Sequence, residues 1–192
     1  MTQIKQIKTD KISEDQPNQS NLRSIPKHWS WVKLGDVCEI TSSKRIFKDD
    51  YVEEGIPFYR TKEIVELSEG KEISIELYIS QSLYNEIKSK FDVPKKDDLL
   101  VSAVGTIGVI YIVKNNNPFY FKDGNLLWIK NIHGSISRYL KYALNNFLIS
   151  NIKVSGSAYN ALTIIKLKDL SIPLPPLSEQ KKIVEKIEEL FS

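Results

Sequence analysis

Near the middle of the sequence two apolar runs lie almost back to back, Leu99-Leu100-Val101-Ser102-Ala103-Val104 and Ile107-Gly108-Val109-Ile110-Tyr111-Ile112-Val113. Runs so rich in β-branched and aliphatic side chains belong in strands, and Gly105-Thr106 between them predicts a hairpin with a tight turn. The rest of the fold has to build a sheet around them. Phe119-Tyr120-Phe121 and Leu126-Leu127-Trp128-Ile129 read as two further strands around Asp123-Gly124-Asn125. Ile56-Pro57-Phe58-Tyr59-Arg60 suits a sheet edge or the start of a strand, because Pro57 cannot donate to a ladder. Together these segments predict one largely antiparallel or mixed sheet. Ser80 is placed to cap a helix over 81–89. Ser137 is placed to cap a longer one, with Leu140, Ala143, Leu144, Phe147 and Leu148 on the face toward the sheet. The expected fold class is α/β of a mixed, α+β-like kind, a sheet flanked by helices. Trp29 and Trp31 are read as packing anchors ahead of the alternative, base-stacking platforms.

The end of the chain carries a second constraint. Pro173-Leu174-Pro175-Pro176-Leu177 predicts a stiff, extended connector, after which Ser178 is placed to cap a terminal amphipathic helix. Leu177, Ile183, Val184, Ile187, Leu190 and Phe191 are its apolar residues, and Lys181, Lys182, Glu185, Lys186, Glu188 and Glu189 line the other face with mixed signs. An isolated helix of about 15 residues is marginal in water, so the stripe needs cover. Pairing with another helix, in a dimer or a partner subunit, is favoured over folding back on the same domain. The expected organisation is a flexible polar arm at 1–24, a globular domain at 25–176 and a helical segment at 177–192.

A search for chemistry returns little. The 27 Lys+Arg and 24 Asp+Glu leave a net charge of +3, compatible with nucleic acid but far from a polycationic tail. Cys38 is the single cysteine and His28 and His133 the two histidines, which argues against a zinc site or a Cys-His pair. Both histidines are read as surface or satisfied structural residues, and Cys38 as a small buried apolar one. There is no Gly-Lys-Ser or Gly-Lys-Thr phosphate loop, and Gly105-Thr106-Ile107-Gly108 lacks the third glycine and following helix of a dinucleotide site. Lys95-Lys96-Asp97-Asp98 reads as a charged turn leading into a buried strand rather than as metal ligands. No catalytic residue, cofactor or metal is expected. Without an apolar stretch of about 18 residues or a signal-like start, the expectation is a cytoplasmic protein with no membrane partner.

Several short motifs then fall in a telling order. Ile25-Pro26-Lys27-His28-Trp29 leads to Leu34-Gly35-Asp36-Val37, followed by Gly55-Ile56-Pro57-Phe58-Tyr59-Arg60-Thr61. Asp97-Asp98-Leu99-Leu100-Val101-Ser102 runs through Gly105-Thr106-Ile107-Gly108, and Ser155-Gly156-Ser157 precedes Asn160-Ala161-Leu162. Last comes Ile172-Pro173-Leu174-Pro175-Pro176-Leu177-Ser178-Glu179-Gln180-Lys181-Lys182-Ile183-Val184. In this order the chain resembles the DNA specificity subunit of type I restriction-modification systems, over one target-recognition domain and the start of its helical spacer. The resemblance implies a mixed α/β domain that binds double-stranded DNA without catalysis of its own. It implies a spacer that docks methyltransferase (M) subunits and, through them, the restriction (R) subunit. A full specificity subunit carries two such domains and two long spacer helices. Self-pairing of a half-length subunit into a homodimer is favoured over one half of a longer chain. A protein-interaction module that occupies methyltransferase subunits without touching DNA is the rival reading. A sugar- or nucleotide-modifying enzyme lacks any nameable acid-base pair.

DNA reading requires cations and amides on phosphates and discriminating side chains on base edges. Ser43, Lys44, Arg45 and Lys48 offer hydroxyl and cationic contacts, with a solvated loop as the alternative. Tyr59, Arg60, Thr61 and Lys62 form the leading recognition segment, since arginine can donate two bonds to guanine. An ion pair of Arg60 with Glu63 or Glu66 is the competing reading. Ser157, Tyr159 and Asn160 could meet an adenine edge, or Asn160 could simply cap the next segment. Ser102, Thr106 and Lys122 complete the candidates from the family's general surface.

Overall fold

The run at Leu99 becomes β6 (Leu99–Ser102), and all four of its residues are buried. It lies between β7 (Ile110–Ile112) and β9 (Leu126–Lys130), antiparallel to both, and β2 (Glu39–Thr41) completes the order β2-β9-β6-β7. Successive side chains point to opposite faces of a strand. Leu99, Val101, Ile110, Leu127 and Ile129 therefore enter one core cluster, and Leu100, Tyr111, Leu126 and Trp128 enter another. With apolar matter on both sides, the strands read as continuous hydrophobic runs rather than alternating ones.

The structure is a computed structural model and describes residues 24–130, 134–154 and 162–191. Apart from Ser24, the expected N-terminal arm lies outside these residues. The first face of the sheet is covered by α1 (Leu34–Val37), α4 (Gly134–Val154), α5 (Ile164–Lys168) and α6 (Leu177–Phe191), through Leu34, Leu140, Leu144, Leu148, Leu167 and Val184. The helix stripe at Leu140, Leu144 and Leu148 is buried as its spacing requires, with Ala143 partly buried beside it; the side chain of Phe147 lies outside the description. The second face meets Ile64 of α2 (Thr61–Ser68) together with Phe119 and Phe121. There Trp128 sits edge-on to Phe121, ring centroids 5.8 Å apart, and donates its indole N–H to the buried Asp98 carboxylate at 2.8 Å.

A further four-stranded sheet has the order β3 (Tyr51–Val52), β5 (Tyr78–Ile79), β4 (Ile56–Tyr59), β8 (Tyr120–Phe121), with β4 and β8 parallel. Its core packs Phe58 and Ile79 against Tyr84 and Ile87 of α3 (Gln81–Lys90), whose start is capped by the Ser80 hydroxyl accepting the Leu83 N–H at 3.2 Å. Gly55 turns the chain between β3 and β4 at φ +153°, where a Cβ would lie 2.4 Å from the Ile79 carbonyl oxygen; only glycine fits. Finally β1 (Ser30–Lys33) pairs antiparallel with β10 (Ser171–Leu174), clasping the first and last parts of the domain together. Trp29 and His28 each reach Glu179 of α6 at 2.8 Å, which ties the half-buried Trp29 to the terminal helix and makes His28 a satisfied structural residue. His133 lies outside the described residues.

Several expectations are corrected. The strands form three sheets, not one, because the chain leaves the β6 sheet to build β3, β4 and β5 before returning. The β6–β7 hairpin exists, but its connection runs from 103 to 109 rather than through a two-residue turn, held by the Gly108 N–H on the Ser102 carbonyl at 2.8 Å. β8 and β9, though joined by a short turn, belong to different sheets. Ser137 is inside α4 and not its cap; its hydroxyl donates to the Asp97 carbonyl at 2.7 Å. Ser178 likewise lies within α6, where Pro176 provides the carbonyl that the Glu179 and Gln180 N–H groups reach. The proline segment is extended as expected, yet it is anchored: Pro173 falls within β10, and its carbonyl accepts the Tyr139 hydroxyl at 2.5 Å.

The terminal helix is corrected in part as well. α6 packs along α4, burying Val184 in the chain's own core with Ile183 against it. Val184 is thus unavailable as an interface residue and Ile187 is half-buried, while Leu177, Leu190 and Phe191 stay exposed at 50%, 71% and 87%.

Asp98 accepts both the Trp128 indole N–H and the Lys95 backbone N–H at 3.0 Å. Replacing it with alanine orphans a buried donor, so Asp98→Ala should cost about 2–3 kcal/mol in urea unfolding with the denaturant slope unchanged.

Candidate nucleic-acid interface

Antiparallel pairing sets where the polar loops go. β2 ends at Thr41 and β6 at Ser102, while β7 begins at Ile110 and β9 at Leu126, and the registers bring all four points to one end of the sheet. Residues 42–47, 103–109 and 122–125 therefore leave the domain together. β4 joins them through its parallel pairing with β8, the Lys122 N–H donating to the Tyr59 carbonyl at 2.9 Å. The Leu162 N–H meets the Ala103 carbonyl at 3.0 Å, which places Leu162 beside the same loops. Ser157, Tyr159 and Asn160 lie outside the described residues.

The loops are braced at their bases. The Ser42 hydroxyl donates to the Leu126 carbonyl at 3.0 Å, and the Lys44 N–H donates to the Tyr120 hydroxyl at 2.6 Å. Arg45 pairs with Asp123 at 2.9 Å, joining the first loop to the third. Lys44 holds its ammonium 5.1 Å from the centroid of the Phe91 ring, and Lys48 is exposed on a short 3-10 turn (Lys48–Asp50). Ser43 Oγ and Thr61 Oγ1 are buried without a hydrogen-bond partner among the described residues.

Ser102 is reassigned. It is fully buried, its hydroxyl donates to the Thr106 carbonyl and accepts the Val109 N–H at 2.8 Å, and it braces the 103–109 loop from within. Thr106 is exposed in that loop, and Lys122 is half-buried.

Arg60 is held on two sides. Its guanidinium reaches Glu63 Oε1 at 2.5 Å and Glu76 Oε2 at 2.7 Å, and Lys62 pairs with Glu76 at 3.1 Å. The ion-pair reading of Arg60 is the one the structure adopts, with Glu76 in the place the sequence suggested for Glu66. Tyr59 stacks on Phe119 at 4.8 Å and is half-buried, so it supports the core beneath the loops. Burial pushes the Glu63 carboxyl upward, but the Arg60 side chain and backbone N–H more than offset it and hold it below its ordinary value. Glu76 is held low by its hydrogen bonds to Arg60 and Lys62. At the other end of the sheet Lys130 is nearly buried, paired with Glu39 at 3.0 Å and 4.3 Å from the Trp128 ring. Cys38 is half-buried, and its thiol is pushed up to about 12 by burial, which leaves it a poor nucleophile.

Sequence reasoning named Glu63 as a partner of Arg60 but missed Glu76, and it missed Asp123 as a brace. Glu63 was legible from its i+3 spacing to Arg60. Glu76 was not, because a pairing across the irregular 69–77 segment leaves no periodic mark.

A mixed α/β domain that gathers basic and hydroxyl-bearing loops at one end of its sheet, and closes on a helix pair, has the layout of a recognition domain. The chain belongs to the family described as type I restriction modification DNA specificity domain, whose model matches residues 26–192. It is 37% identical over 155 residues to a Haemophilus influenzae protein named "Putative type I restriction enzyme specificity subunit S.HindORF215P", covering 80% of this chain and 38% of that one. It is 28% identical over 178 residues to the Escherichia coli type I restriction enzyme EcoBI specificity subunit, covering 88% of this chain and 36% of that one. Among solved structures, the HsdS subunit from Thermoanaerobacter tengcongensis shares the fold with a TM-score of 0.63 at 22% identity, over 87% of this chain and 38% of that one. The chain thus spans about two fifths of the length of the relatives it matches.

The carboxylate clamp yields a pH test. A carboxyl held low in the folded state stabilises above its unfolded value, 4.5 for Glu63, and loses that contribution as pH falls through the folded value. In Arg60→Gln the buried Glu63 loses its partner and titrates higher, so acid relieves the variant. The stability gap between wild type and Arg60→Gln should be largest near neutral pH and shrink as pH falls through the variant's raised Glu63 value toward the lowered one of the wild type, in urea titrations. A gap independent of pH would sink the clamp.

Proposed function

We propose that this chain recognises a DNA sequence for a type I restriction-modification complex and leaves the chemistry to methyltransferase and restriction subunits. The observation that carries the reading is the convergence of the 42–47, 103–109 and 122–125 loops beside the end of β4, in a chain that belongs to the specificity family. In this reading residues 25–176 form the recognition domain. Lys44, Lys48 and Lys122 hold phosphates, assisted by the exposed Thr106 hydroxyl, whereas Ser43, its hydroxyl buried, supports the loop from within. Asn160, with Ser157 and Tyr159, reads a base edge. Arg60 and Lys62, engaged by Glu63 and Glu76, serve DNA reading by fixing the end of β4, with Tyr59 and Thr61 beside them. The exposed ends of α6 at Leu177, Leu190 and Phe191 meet a methyltransferase subunit or a second copy of the chain.

Co-expression with candidate methyltransferase subunits, followed by mapping of methylated sites, tests role and target together; one recurrent modified sequence is expected. Its absence, with the chain still copurifying with the subunits, would favour the protein-interaction module. Against duplexes carrying that site, Asn160→Ala should lose roughly 1–3 kcal/mol of discrimination at one base pair. Lys44→Ala should weaken cognate and scrambled DNA alike and reduce the slope of log K against log salt by about 0.9. Equal losses on both duplexes for Asn160→Ala would refute its base-reading role.

A further inference from the structure

The 42–47 loop ends in a residue that neither the core nor the ion pairs account for. Ile46 is buried in the second sheet's core, but Phe47 next to it is 63% exposed. The ring is not on a loose segment. The Phe47 N–H donates to Asp50 Oδ2 at 2.9 Å, and the Asp50 N–H donates to the Phe47 carbonyl at 3.1 Å. With Ser42 and Lys44 pinned to Leu126 and Tyr120, the backbone on both sides of Phe47 is fixed and the ring stands out from it. Its flanks are cationic: Lys44, Arg45 and Lys48 lie within three positions, and Lys44 itself rests over the half-exposed Phe91.

A braced, outward aromatic between cations is suited to an apolar contact inside a polyanion. Two such contacts exist in duplex DNA: a wedge between base pairs from the minor groove, or packing on a thymine methyl in the major groove. Asp49, Asp50, Glu53 and Glu54 follow Phe47 within seven positions, and all but the half-buried Asp50 are exposed. Carboxylates so close are repelled most where the groove is narrow and its potential most negative, which disfavours the minor groove. The major groove, about 12 Å wide, can admit the ring while those carboxylates stay at its mouth.

We propose that Phe47 is a specificity residue that reads a thymine 5-methyl group in the major groove, with Lys44 and Lys48 on the adjoining phosphates. This rests on the DNA-reading function above. The full chain, alone and with candidate methyltransferase subunits, is used to select duplexes from a randomised pool. Each thymine of the selected site is then replaced by deoxyuridine, which removes the methyl and keeps every hydrogen-bonding edge. One replacement should weaken wild-type binding roughly four-fold, the worth of one buried methyl, and should have no effect on Phe47→Ala. The variant's melting temperature should match wild type, because the ring is in solvent. A wild type insensitive at every thymine, or an equal response in Phe47→Ala, overturns the assignment. So does a rise in 2-aminopurine fluorescence at a neighbouring step, which would reveal a wedge. If wild type selects no sequence under either condition, DNA reading itself has failed and this assignment falls with it.

Discussion

Everything in this molecule is arranged around a strand that has no solvent face. β6 is apolar on both sides, so it must be flanked by strands and covered above and below. At roughly 1.5–3 kcal/mol for each large aliphatic side chain fully removed from water, Leu99, Leu100 and Val101 supply a strong drive toward that arrangement. Satisfying it recruits α1, α4, α5 and α6 to one face and α2 with the Phe119–Phe121 segment to the other. The helices and the outer sheet are consequences of that demand.

The same constraint positions the candidate interface. Once β2, β9, β6 and β7 are antiparallel, alternate connections must leave from opposite ends. The loops carrying Lys44, Thr106 and Lys122 come out at one end, and the Lys130, Glu39 and Asp92 cluster sits at the other. Rigidity at the loop end comes from hydrogen bonds made at the loop bases, by Ser42, Tyr120 and Ser102, leaving the tips free to differ in sequence. Arg45, Arg60 and Lys62 are engaged by carboxylates of the chain itself, whereas Lys44 rests over the Phe91 ring and Lys48 is exposed.

The terminal helix shows how one apolar stripe can serve two ends. Val184 and Ile183 are taken up by the chain's own core along α4, whereas Leu190 and Phe191 at the last turn remain in solvent. The β1–β10 ladder and the Glu179 bonds to His28 and Trp29 fix where that helix starts. Its exposed tip therefore has a defined position relative to the loops.

Local patterns in the sequence determined the strands at 56–59, 99–102, 110–112 and 126–130, the Ser80 cap, the 140/144/148 stripe and the ordered motifs of the family. Each is set by contacts between near neighbours or by side-chain period, and so is written in a short window. Tertiary structure alone decided that β8 pairs with β4 rather than β9, and that Ser102 is buried while Thr106 is exposed. It also decided that Arg60 is engaged by Glu76 and that half of the α6 stripe belongs to its own domain. Those outcomes depend on which distant segments the double-faced burial of β6 brings into contact, and a partner many residues away leaves no periodic trace for a local reading to find.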